Sequence, residues 1–210
     1  MNAVAQHQCV IYDGSPAMRL PSIVTLILGK LGANYRCLYV NDSAMVSGLS
    51  SHLGAAGVDV AAEMRQGSLV LSSEQNHLLN GHFDVARMVE MLEAAVRHAL
   101  SDGYRGLFAT GDMTWEFGPD RDFKKLLEYE LALEELFQRC PHLVGLCQYH
   151  QDTLPVRALR SALYAHPAFY INETLSRINP HYKAPDLLLE VQVKVSTVQM
   201  YERLSELIAV

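Results

Sequence analysis

Short apolar runs that read as buried strands alternate along this chain with longer segments whose apolar residues recur at helical spacing, and that alternation narrows the possible folds more than any other feature. Cys9–Tyr12, Arg36–Val40, Ser68–Ser72, Gly106–Thr110, Val144–Tyr149 and Phe169–Asn172 read as strands. Between them, Ile23–Leu31, Ala44–Leu53, Val58–Gln66, Asp84–Leu100, Phe123–Phe137 and Val156–Tyr164 carry helical spacing. Helix stops stand at Gly32 and Gly103, and Asp84 has the chemistry of an N-cap. The pattern predicts an α/β fold in three layers: a mostly parallel sheet with helices on both faces and right-handed crossovers.

The chain has 210 residues, half of them hydrophobic, enough for one well-buried domain. The candidate boundary is Asn179–Asp186, which holds two prolines and separates residues 1–185 from a tail of residues 186–210. In that tail Leu189, Val191, Val193 and Val195 alternate with polar residues, as in a half-buried strand, and Thr197–Ile208 is more helical. It is either a strand and helix of the same domain or an element that pairs two copies as a homodimer.

The net charge of −6 argues against nucleic acid as a direct partner, because duplex-binding domains are usually basic. No apolar run is long enough to span a bilayer, so no membrane association is expected. The N-terminus lacks a basic region followed by an apolar stretch, which points to the cytoplasm. The cysteines, Cys9, Cys37, Cys140 and Cys147, form no CxxC pair and read as free, mostly buried thiols.

The chemistry concentrates where strands end. GLFATGDMTW, Gly106–Trp115, is a buried run that stops on Gly-Asp and the chain's one tryptophan. In α/β sheets ligands sit beyond the carboxyl ends of the strands. After the first strand, where a nucleotide-binding protein holds phosphate, the loop reads DGSPAMRLPS. It has one glycine, two prolines and no Gly-Lys-Ser/Thr; proline removes the amides that would cradle phosphate. Arg19 reads as a solvent-exposed cation or an anion contact. Asp112 suits a turn residue, a water-ordering acid or a ligand contact. Trp115 suits either local packing or an aromatic wall over a ligand.

His7, Cys9, Cys147 and His150 have metal-ligand chemistry, but His7 enters the first strand and His150 leaves the fifth. Parallel strands put those residues at opposite ends, and closed zinc sites need four convergent ligands. No metal and no cofactor are therefore expected. Glu128, Glu130, Glu134 and Glu135 read mostly as the solvated face of an amphipathic helix, with Glu130 the one placed to face a pocket. No GxSxG elbow is present, and no catalytic residue is expected.

HQCVIYDG, GHFD, GLFATGDMTWEF, LLEYE, LCQYHQDTLP and AHP follow one another in an ordered series from His7 to Pro167. The series resembles the MEDS family, the sensory domain of methanogens, methylotrophs and the dichloromethane-responsive repressor, and the similarity extends to about Pro185. The resemblance implies a RecA/KaiC-like α/β domain without a functional phosphate loop. It implies a sensor of small molecules, including simple carbon compounds, working beside a transcription regulator or a histidine kinase. His7, Cys9, Tyr12, Asp112, Trp115, Glu130, Cys147, Tyr149 and His166 match signature positions by this carry-over. No separate output domain is seen in the sequence. The expectation is a non-enzymatic sensor with a small organic ligand, in a pocket shaped by Asp112, Trp115, Glu130 and Tyr149 over a floor of Tyr12 and Cys147. The rival expectations are an atypical nucleotide-binding protein and a ligand-free regulatory scaffold.

Overall fold

The computed structural model describes residues 6–73, 76–114, 124–171 and 177–178. Strands β1 (His7–Tyr12), β2 (Arg36–Asn41), β3 (Leu69–Ser73), β6 (Leu107–Asp112), β7 (Leu143–His150) and β8 (Ala168–Ile171) form a parallel sheet in the order β3-β2-β6-β7-β1-β8. A short β9 (Arg177–Ile178) adds to β8 antiparallel. The hairpin β4–β5 (Leu78–Leu79, His82–Phe83) stands apart from this sheet. The α/β fold with helices on both faces is thus the observed one.

The helices are α1 (Leu20–Gly32), α2 (Ser43–Ala55), α3 (Val60–Gln66), α4 (Val85–Ser101), α5 (Lys124–Arg139) and α6 (Val156–Ala165). Three of them start on aspartate. Asp42, Asp59 and Asp84 each accept an amide hydrogen bond from the residue three positions on, at 2.8–2.9 Å, satisfying donors that a helix start leaves orphaned.

Alternation along the strands divides the core in two. Val10, Tyr12, Cys37, Tyr39, Phe108 and Leu146 pack against Ile23 and Ile27 of α1 and Leu49 and Leu53 of α2. Cys9, Ile11, Leu38, Val40, Leu107, Cys147 and Tyr149 pack against α4, α5 and α6 through Leu92, Leu126, Leu133 and Leu159. Burial on both faces explains why β1 and β7 read as nearly continuous apolar runs.

Two local expectations are corrected. The loop expected over Asp13–Ser22 is shorter: a 3-10 turn at Pro16–Arg19 runs into α1 from Leu20. Pro21 sits in the first turn of α1, where its missing amide costs no intrahelical bond. The hairpin was not expected; Asn80 and Gly81 turn it with φ of 52° and 81°, the geometry Asn-Gly favours. The proposed boundary at Asn179–Asp186, the tail strand and helix, and Trp115 lie outside the described residues.

Gly145, opposite His7 in the β1–β7 register, gives Phe137 of α5 its place against β7. A Cβ at this position would run into the Phe137 ring. We expect Gly145→Ala to cost about 1–3 kcal/mol through overpacking. Urea unfolding would report this as a lower midpoint with an unchanged slope.

Candidate functional site

The chain leaves two neighbouring strands in opposite directions. From β1 it passes to α1 on one face of the sheet, and from β7 to α6 on the other. Such a divergence opens a crevice at the carboxyl ends of the strands. Tyr12, Asp112 and His150, the last residues of β1, β6 and β7, meet there. The Tyr12 hydroxyl donates to Asp112 Oδ2, and the Thr114 amide donates to Asp112 Oδ1 at 2.8 Å. The His150 ring stacks on Tyr12 at 5.0 Å, and its Nε2 donates to the Gly14 carbonyl at 2.7 Å. The Arg19 guanidinium lies 5.9 Å from the Tyr12 ring centre. Burial pushes the Asp112 carboxyl above its ordinary range, against the two hydrogen bonds and the His150 ring, which pull it down.

The loop after β1 offers no anion cradle. Gly14 N donates to Asp152 Oδ2 at 3.1 Å and Met18 N to Ser15 O at 3.0 Å, while Pro16 and Pro21 have no amide to give. A carboxylate therefore occupies the amide nearest the place where a phosphate oxygen would sit.

Beside this crevice, between α1 and the sheet, lies a cavity of about 470 Å³. Its walls are apolar at Val10, Ile23, Phe108, Val144 and Leu146, with Gln8, Gln148, Arg19 and Lys30 as polar points. Gln148 is held by donating to Thr110 Oγ1 at 2.9 Å. Burial lowers the Lys30 ammonium below its usual range.

The opposite face carries a second polar cluster beneath α5 and α6. His7, Glu130, Cys147 and His166 each turn one donor atom to a common centre, all four within 4.8 Å of one another. His7 Nε2 lies 3.6 Å from Cys147 Sγ and 3.7 Å from Glu130 Oε2. His166 Nε2 lies 3.4 Å from Glu130 Oε2. All are buried, Glu130 and His166 completely. The Tyr149 hydroxyl donates to Glu130 Oε1, whereas Glu130 Oε2 accepts no hydrogen bond among the described residues. Burial, then the Glu134 carboxylate, raises Glu130 well above the usual carboxyl range. Burial lowers both imidazoles: in His7 against the pull of Glu134, and in His166 together with the neighbouring His7 ring.

The residues expected to line one pocket therefore divide between two sites. Tyr12 and Asp112 end on the α1 side; Glu130, Cys147 and Tyr149 lie on the α5–α6 side. The separation expected between His7 and His150 holds, since they stand at opposite ends and on opposite faces. Yet His7 and Cys147 meet across the β1–β7 register, and Glu130 and His166 join them. Glu134, expected on the solvated face, is buried with its Oε2 2.9 Å from His7 Nδ1. Glu128 and Glu135 are exposed, as that reading has them. The missed signal for Glu134 is positional: like Glu130, it falls on the helical stripe of Leu126, Leu133 and Phe137.

The family model of the MEthanogen/methylotroph, DcmR Sensory domain matches residues 6–167, which spans both polar clusters. The chain belongs to the MEDS family. It is 26% identical over 168 residues to the transcriptional repressor DcmR of Methylorubrum extorquens (strain DSM 6343 / CIP 106787 / DM4). The match covers 80% of this chain and 60% of that repressor, so this MEDS chain spans less than two thirds of its relative. Membership in this family supports a sensory role. No helix among the described residues is long and apolar enough to cross a membrane.

The Asp112 environment has a signature in the pH dependence of folding. With its folded pKa raised, Asp112 contributes nothing in acid and becomes a penalty as pH rises past the unfolded value near about 4. Asp112→Asn keeps Oδ1 as the acceptor for the Thr114 amide, turns an NH2 donor toward the Tyr12 oxygen in place of Oδ2, and lacks that penalty. Its stability relative to the parent should rise from about pH 4 toward neutrality and then level off, read by denaturant unfolding across pH. A variant that loses ground over that range would show that the site favours the ionised carboxylate.

Proposed function

We propose that this MEDS chain is a non-enzymatic sensor that binds a small organic molecule and passes the bound state to a regulator of transcription or a histidine kinase. The observation that carries the proposal is the cavity of about 470 Å³ beside the strand-end crevice. Its size lies within the usual range for small ligands, about 300–1,000 Å³, and its apolar wall with a few polar points suits a compact molecule bearing one hydrogen-bonding or weakly acidic group. Tyr12 and Asp112, which meet at the strand-end crevice, are assigned to the mouth of this site, and Trp115, next in sequence after Thr114, is assigned to it as an aromatic wall. Glu130, Cys147 and Tyr149 belong instead to the opposite face.

The proposal takes the scaffold to be RecA/KaiC-like with its phosphate loop dismantled. The parallel order β3-β2-β6-β7-β1-β8 supports that reading, as do the prolines and the Asp152 carboxylate at the loop. Against nucleotide as ligand stands the same carboxylate, which would repel phosphate where a cradle should attract it. Signalling requires different affinities for two conformations. The turn at Thr114, held by Asp112 at the end of β6, is the element assigned to move. A cytoplasmic setting and pairing of two copies complete the proposal.

A panel of small neutral and weakly acidic organic molecules, screened by thermal shift and confirmed by calorimetry, tests it. A true ligand at about 100 times its Kd stabilises the parent by about 2.7 kcal/mol. Ser22→Trp, which places an indole in the cavity, should remain folded by circular dichroism and lose that stabilisation. A ligand held equally well by Ser22→Trp, or magnesium-dependent binding of ATP in equilibrium dialysis, would overturn the assignment.

A further inference from the structure

We infer that His7, Glu130, Cys147 and His166 bind one divalent cation of the zinc class beneath α5 and α6, on the face of the sheet opposite the ligand cavity. Four elements supply one donor each: His7 from the start of β1, Cys147 from β7, Glu130 from α5, and His166 from the residue after α6. A tetrahedral centre with bonds of about 2.0–2.3 Å holds its donors about 3.3–3.7 Å apart. The separations of 3.4, 3.6 and 3.7 Å between these donor atoms fall in that range. The largest, within 4.8 Å, requires a side-chain adjustment of about 1 Å on loading.

The surroundings orient each ligand. His7 Nδ1 lies 2.9 Å from the Glu134 carboxylate, and His166 Nδ1 lies 2.7 Å from the Ala162 carbonyl. Both partners accept, so both imidazoles carry their proton on Nδ1 and present Nε2 to the centre as an electron-pair donor. The Tyr149 hydroxyl holds Glu130 Oε1, which turns Oε2 inward. Carboxylate and carbonyl partners behind histidine ligands are the usual outer shell of a metal site. Phe137, stacked on His7 at 4.3 Å, shields the cluster from water.

The buried Glu130 Oε2, which accepts no hydrogen bond among the described residues, is the independent sign that something is meant to meet it. Electron-pair donors gathered at one buried point repel one another until a cation stands among them. The ligand set selects the charge. A thiolate and a carboxylate with two neutral imidazoles balance a 2+ ion, whereas a monovalent ion would leave buried negative charge. Loading releases the thiol proton, and any proton on the carboxyl, to solvent. Mixed sulfur, nitrogen and oxygen donors favour zinc over magnesium or calcium, which take oxygen ligands.

The test uses the full chain, stripped with chelator and then titrated with Zn²⁺ and separately with Co²⁺. Native mass spectrometry should find one metal per chain. The cobalt form should show the intense visible bands of a four-coordinate ion and a near-ultraviolet thiolate-to-cobalt band. Cys147→Ser should abolish the thiolate band, and Cys140→Ser should leave it intact. Glu134→Gln, which supports a ligand without being one, should weaken zinc binding about 10–100-fold. Because none of these residues lines the ligand cavity, the result is independent of the small-molecule screen. A stripped, folded chain that takes up no stoichiometric metal, or a Cys147→Ser variant with an unchanged cobalt spectrum, would overturn the inference.

Discussion

The in-register parallel pairing of β1 with β7 is the constraint on which the rest of the molecule turns. It sets Tyr12 beside His150 on one face, and on the other it brings His7 into reach of Cys147. Because side chains alternate across a pleated strand, the same two strands serve both clusters without sharing a side chain. A shift of register by one residue would exchange the faces and destroy both clusters together.

Much of the architecture was legible because parallel central strands and amphipathic helices write strong patterns. The strands at Cys9–Tyr12 and Val144–Tyr149 and the helix at Asp84–Leu100 lie within or beside elements that the structure places there. The Asn80-Gly81 hairpin went unread despite its turn signal, since each of its strands has only two residues and no alternation can develop. The start of α1 was hidden by Pro21, a residue that reads as a breaker until its position in the first turn is known.

The site residues were legible one by one, but their grouping was not. Asp112, Glu130, Cys147 and Tyr149 announce chemistry by type and place, yet nothing local states which face of the sheet a helix will cover. Glu134 was read with the solvated face because carboxylates on an amphipathic helix usually face water, whereas Glu130 was read as facing a pocket. The place of Glu134 on the apolar stripe carried the contrary message, which could be trusted only with a buried partner to receive it. His166 was visible only through the family series, because its partners come from elements distant in sequence.

The sheet is also a bulkhead. A guest beside α1 and an ion under α5 would sit on either side of one thickness of backbone and could never touch. Any conversation between them would have to be mechanical, carried by tilt or slip of the two strands that both sides grip.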